Sequence, residues 1–153
     1  MSDNHNRKTV KYTPNKFQLC KKIAWDDVIL KLSNEIEKKS FGMTSTDGNK
    51  FPAFVLPNDF YPESIWNAFD EVKEKENVKI LHIYLSFSKD CGTFGRHKDS
   101  KDVLIVQSIG EVSYRFDDGT IHTLIPGDCI YIPKGVYHDP IIKTPRVTLS
   151  FSW

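Results

Sequence analysis

At Asn77 the apolar periodicity of the chain changes. Before it, apolar residues recur every three to four positions, and after it they alternate with polar ones to the end of the sequence. A pattern of period two has to be read as β structure, so the second half is a run of strands. Candidate strands cover 79–87, 103–108, 112–116, 120–124, 128–132 and 146–152. Asp117-Asp118-Gly119 marks a hairpin between the third and fourth, because glycine tolerates positive φ. The first and last strands each have one apolar and one polar face. Leu81, Ile83, Leu85 and Phe87 alternate with His82, Tyr84 and Ser86. Val147, Leu149, Phe151 and Trp153 alternate with Arg146, Thr148, Ser150 and Ser152. The polar face either meets water or lines the lumen of a barrel in which chemistry happens.

Ahead of the switch, Trp25, Val28, Ile29, Leu32 and Ile36 form a helical stripe, with Asp26 and Asp27 at its start and Lys38 and Lys39 at its end. A second helix runs from Pro62 through Ile65, Trp66, Phe69 and Val72. The expected helices cover about 25–39 and 62–75, and their stripes suit the apolar outer face of a sheet or, equally, a homodimer. Residues 1–16 show no periodicity and are expected to form a flexible tail, leaving 17–153 as one domain with its barrel at about 78–153. A chain of 153 residues buries one core. Its 21 Lys and Arg against 20 Asp and Glu give no basic excess for tracking phosphates. Cys20, Cys91 and Cys129 share no CxxC spacing, which favours a reducing, cytoplasmic home over a disulfide framework. No stretch approaches the roughly 20 apolar residues of a membrane span, and the first residues lack the apolar core of a signal peptide.

The segment Gly127-Asp-Cys-Ile-Tyr-Ile-Pro133-Lys-Gly135-Val-Tyr-His138 carries glycine, proline, glycine and histidine at the spacing of the second cupin signature, which it resembles in full. Two tight turns there put His138 at the start of a strand. About forty residues earlier, a glycine-containing loop leads into His97-Lys98-Asp99. Alternate residues of a strand point to one side, so His97 and Asp99 can share a metal with His138. Two histidines and one carboxylate with open positions opposite are the facial triad of non-haem iron(II) oxygenases. A four-ligand cupin would add a further histidine and a glutamate. Asp99 and Val103 stand at those positions, which favours the oxygenase branch.

From about Leu81 to Trp153, roughly half of the chain, the sequence resembles the JmjC-like cupin oxygenases, which include asparaginyl and ribosomal-protein hydroxylases. The agreement lies in HKDSKDVLIVQSIGEVSYRF, with Gln107 and Gly110, and in GDCIYIPKGVYH. The resemblance implies a mainly β double-stranded β-helix, a jelly-roll barrel with N-terminal helices. It also implies iron(II) on His97, Asp99 and His138, with 2-oxoglutarate as cosubstrate and O2 as a partner. Many relatives hold the distal carboxylate of 2-oxoglutarate with a Lys or Arg where this chain has Val112 and Ser113, and Arg115 has the wrong strand parity. Arg146, eight residues after His138, is similar to the anchoring arginine of another 2-oxoglutarate branch, with Thr148 on the same face. The rival role for Arg146 is a surface arginine paired to an acid. Tyr84 is a further cosubstrate or substrate contact, and Phe94, Tyr114 and Tyr131 are expected to line a narrow lumen. His5, His82 and His122 are read as structural, with His82 the one of the three that is a candidate for the lumen lining. The substrate class stays open among protein side chains, amino acids, nucleobases and small metabolites. Two other readings stand beside this one: a cupin dioxygenase that does not use 2-oxoglutarate, and a non-catalytic binding module.

Overall fold

The computed structural model describes residues 9–44 and 50–153; His5 and part of the turn-rich 41–52 segment lie outside them. The chain runs through β1 (Lys11–Thr13), a short 3-10 turn (Leu19–Lys22), α1 (Trp25–Lys38), β2 (Gly42–Met43), β3 (Phe54–Leu56) and α2 (Glu63–Glu76). It continues through β4 (Ile80–Ser86), β5 (Val103–Ile109), β6 (Val112–Phe116), β7 (Ile121–Leu124), β8 (Cys129–Ile132), β9 (His138–Ile142) and β10 (Arg146–Ser152). Asn77, where the sequence pattern switches, caps α2 in the left-handed conformation, and its N–H donates to the Lys73 carbonyl.

All pairings between named strands are antiparallel. One sheet has the order β1-β8-β5-β10-β4-β3-β2 and the other the order β7-β6-β9. Strand parity sorts the side chains of the large sheet into two layers. Leu81, Ile83, Leu85, Leu104, Val106, Cys129, Tyr131, Val147, Leu149 and Phe151 pack outward with Val28 and Leu32 of α1 and with Ile65, Ala68, Phe69 and Val72 of α2. Val103, Ile105, Ile130 and Ile132 face inward and pack on Val112, Tyr114, Phe116, Leu124 and Ile142 around the small sheet. Two antiparallel sheets closed on each other with helices behind the larger one are the jelly-roll barrel the sequence predicts.

Several details differ from the sequence reading. The buried face of α1 is Val28, Lys31, Leu32 and Glu35, whereas Trp25, Ile29 and Ile36 of the expected stripe are largely exposed. Lys31 can be buried because its Nζ donates to the Phe60 carbonyl at 2.8 Å, sits 3.4 Å from Glu35 and lies over the Tyr61 ring. Trp66 likewise turns out, stacking beside Tyr61 and Phe69. Within the expected tail, Lys11–Thr13 pairs with β8, and the Tyr12 hydroxyl donates to Asp128. A three-residue strand is too short to show in periodicity. Tyr131 belongs to the outer layer and not to the lumen, because parity alternates it with Ile130 and Ile132.

Candidate metal centre and its cavity

The inward side of β10 and β4 is polar where the rest of the lumen is apolar. Arg146, Thr148, Ser150 and Ser152 on β10 stand opposite Ser86, Tyr84, His82 and Ile80 on β4. This polar strip is one wall of a cavity of about 330 Å³. The other walls bring His97, Asp99 and His138 to it, with Phe94 and Tyr114.

His138 opens β9, and His97 lies in the loop after β4, outside any strand. The two are held together by a two-way backbone bridge: the His97 N–H donates to the His138 carbonyl at 2.9 Å, and the His138 N–H donates back at 2.8 Å. Asp99 is fixed by the turn that carries the glycine motif, since the Gly135 N–H donates to the Asp99 carbonyl at 2.9 Å. Gly135 has φ of +80°, a conformation open to glycine without strain. The Asp99 carboxylate lies 3.8 Å from His97 Nε2 and 3.4 Å from His138 Nε2. One ligand atom from each of the three lies within 4.8 Å of the others. A small closure around one ion with bonds of about 2.1 Å would bring all three onto it.

The second nitrogen of each ring settles which nitrogen faces the cavity. His97 Nδ1 is 2.8 Å from the Gly95 carbonyl, and His138 Nδ1 is 3.0 Å from the Val136 carbonyl. A carbonyl only accepts, so each Nδ1 carries the proton and each Nε2 presents its lone pair toward Asp99. Burial pulls the His138 imidazole below its ordinary value, and the neighbouring His97 acts in the same direction. A neutral ring is the form that ligates a metal.

Outside the barrel, behind the two histidines, their chain neighbours form a clasp. The Arg96 guanidinium lies 3.8 Å from the centre of the Tyr137 ring and makes two bonds to Asp117, at 2.9 and 2.6 Å. Lys98 approaches the same ring at 5.2 Å, and Arg115 donates to Asp139 at 2.7 Å. Arg115 points outward, as its parity predicts.

Arg146 is 4% exposed and bonds Ser86 through Nε at 2.9 Å. Its guanidinium also lies 5.6 Å from the centre of the Tyr84 ring. Among the described residues it has no carboxylate partner, which disposes of the surface ion-pair role. Burial pulls the guanidinium down from its ordinary value, yet an arginine stays charged. A buried cation without a counter-ion is costly unless an anion joins it. Thr148 donates to Gln107 Oε1 at 2.9 Å, and Gln107 Nε2 donates to the Ile109 carbonyl at 2.8 Å, so the threonine is already engaged. Tyr114 lines the same cavity, and burial pushes its phenol up to about 12. Tyr84 lines the cavity, edge-on to Phe94. His82 lines it too, as the lumen candidate among the three remaining histidines, while His122 stacks on Tyr12. Ser86 was missed as a partner of Arg146, although its place on the polar face of β4 is visible in the alternation.

No protein-family model and no curated protein sequence matches the chain. Solved structures do. Escherichia coli YcfD superposes with a TM-score of 0.71 at 18% identity, over 98% of this chain and 51% of that one. The same protein, described as a ribosomal oxygenase in complex with cobalt and 2-oxoglutarate, gives 0.68 at 18% identity over 95% and 47%. A Pseudomonas putida prolyl-4-hydroxylase gives 0.56 at 10% identity, over 94% of this chain and 91% of that one. The chain spans about half the length of the YcfD chains. At these identities the likeness is one of fold: the chain has the double-stranded β-helix on which a 2-oxoglutarate-binding oxygenase and a prolyl hydroxylase are built.

Proposed function

We propose that the protein is an Fe(II)- and 2-oxoglutarate-dependent dioxygenase with a single oxygenase domain, which takes in β1 (Lys11–Thr13) ahead of the expected start at 17. The observation that carries this reading is a pairing within one cavity. A two-histidine, one-carboxylate set stands across from a buried guanidinium that has no acid of its own. The donor set fits iron(II), since imidazole and carboxylate in a facial array leave adjacent positions open. The guanidinium fits the distal carboxylate of 2-oxoglutarate, because its planar fork grips a carboxylate through two bonds.

His97, Asp99 and His138 would hold the metal. When bound, iron and 2-oxoglutarate supply an oxidant from O2 by oxidative decarboxylation to succinate. The chain contributes position and exclusion. The Gly95 and Val136 carbonyls keep both rings in the ligating tautomer. Ser86 holds Arg146 by Nε and leaves its terminal nitrogens for the cosubstrate. Gln107 fixes Thr148 beside it, and Tyr84 closes that wall. Phe94 stands edge-on to both Tyr84 and His97 and shields the metal side from water.

Among the described residues no helix is long and apolar enough to cross a membrane. Cys20, Cys91 and Cys129 are all buried, which suits a reducing cytoplasm. Anaerobic titration with iron(II) and then 2-oxoglutarate tests the proposal. One iron should bind per chain, and 2-oxoglutarate should then raise a visible charge-transfer band that Arg146→Ala abolishes. Failure of the wild-type protein to bind iron stoichiometrically overturns the reading.

A further inference from the structure

The cavity continues past the His97, Asp99, His138 and Arg146 end to a second, outer end. The seven residues from Arg146 to Ser152 carry the polar strip along roughly 20 Å of strand. Arg146 and Thr148 are buried at one end, and Ser150 and Ser152 are half-exposed at the other. The outer end is lined by Ser150, Ser152, His82 and Lys101, over an apolar floor of Val103, Ile105 and Pro140. None of the hydroxyls of Ser100, Ser150 and Ser152 is bonded to another described residue. Lys101 has no ion pair among them, and its neighbour Asp102 is already taken by the Tyr131 hydroxyl and the Lys134 N–H.

The charges of the cavity leave a remainder at this end. Asp99 is the only carboxylate in the lining. If the site works as proposed above, on which this inference rests, a divalent ion and Arg146 are balanced by Asp99 and the two carboxylates of 2-oxoglutarate. Lys101 is the charge left over. A cation without an acid, beside hydroxyls free to donate, selects an anion, and its charge disfavours a cationic side chain or amine. Burial and the fields of Lys101 and Lys31 pull the His82 imidazole down, so at neutral pH it is an uncharged ring that can donate or accept beside that cation.

We propose that the primary substrate is a small aliphatic anion, a carboxylate or a phosphate monoester of about amino-acid size. Its charged group sits on Lys101 with Ser150 and Ser152, and its carbon chain lies on Val103, Ile105 and Pro140 toward the metal. The cavity is near the lower limit of small-molecule sites, roughly 300 Å³, and part of it is taken by cosubstrate, so a bulky ligand does not fit.

The test uses the full chain loaded with Co(II) and 2-oxoglutarate, titrated with butyrate, butyl phosphate and butylamine. Binding is read in the visible cobalt spectrum and in the thermal midpoint. The expected result is saturable binding of one or both anions and none of the amine. Lys101→Gln should weaken anion binding about tenfold, Lys101→Arg should preserve it, and both should leave 2-oxoglutarate affinity unchanged. Preference for butyrate or for butyl phosphate names the anion. Equal or better binding of butylamine, or anion binding indifferent to Lys101→Gln, overturns the inference and leaves the oxygenase reading standing. Failure of the wild-type chain to take up cobalt and 2-oxoglutarate overturns both.

Discussion

The two halves of the barrel interior are built by the same strand geometry and do opposite things. Around β8 the inward residues Ile130 and Ile132 pack between the two sheets in a closed apolar core, while β5 spans the divide, with Val103 and Ile105 packed on that core and also flooring the cavity. Around β10 and β4 the inward residues are Arg146, Thr148, Ser150, Ser152, Tyr84 and His82, and the sheets stand apart around the cavity. The outward faces of all four strands are apolar and lie in the layer that packs on the helices. A strand apolar on both faces therefore marks where the barrel is shut, and a strand apolar on one face marks where it is open.

Substitutions on the two sides should separate stability from binding. Ile130→Ala empties a fully buried site in the closed half and should cost ~2–5 kcal/mol in unfolding free energy, while the folded protein keeps its metal affinity. Chemical denaturation and metal titration of the same sample check both statements. Arg146→Met reverses the pattern. It should weaken 2-oxoglutarate binding by ~2–5 kcal/mol, read by calorimetry, because one partner of a buried charged pair is lost. Its thermal midpoint should hold or rise, because an unpaired buried cation is replaced by an apolar chain of similar length. A large drop in its stability would mean that the guanidinium holds the fold and not a ligand. Arg96→Ala opens the clasp behind the histidines and should lower metal affinity by ~10–100-fold, with little change in the stability of the metal-free protein. Arg96→Lys, which keeps a cation over the Tyr137 ring, should recover part of that loss. Ser150→Ala is the smallest step. It should change stability by less than ~0.5 kcal/mol, since its hydroxyl bonds no described residue.

How far the sequence could be read followed the same division. Period-two alternation located β4 and β10 and assigned Arg146 and Thr148 to the inner face, because parity is a local property. The Gly127 to His138 motif placed His138 correctly at a strand start, since its turns depend on residue types in fixed order. What escaped was set by contacts distant in the chain. The α1 stripe was misjudged because Lys31 is buried on a carbonyl contributed by Phe60, and Glu35 is buried beside the Lys31 ammonium. Tyr131 was assigned to the lumen because a continuous apolar run does not reveal which parity faces in. The β1 strand was missed because its partner β8 lies more than a hundred residues away. Lys101 and Ser152 stood out only once the strip and the loop had come together around one cavity.

The placement of β10 bears on how the protein is made. It lies between β5 and β4, which are neighbours in sequence but touch the sheet centre only through it. During synthesis both strands emerge well before residues 146–152 and wait with open edges, a state that invites misassociation. The segment that delivers Arg146 is also the one that joins β5 to β4, so the polar wall of the cavity forms only when the sheet closes.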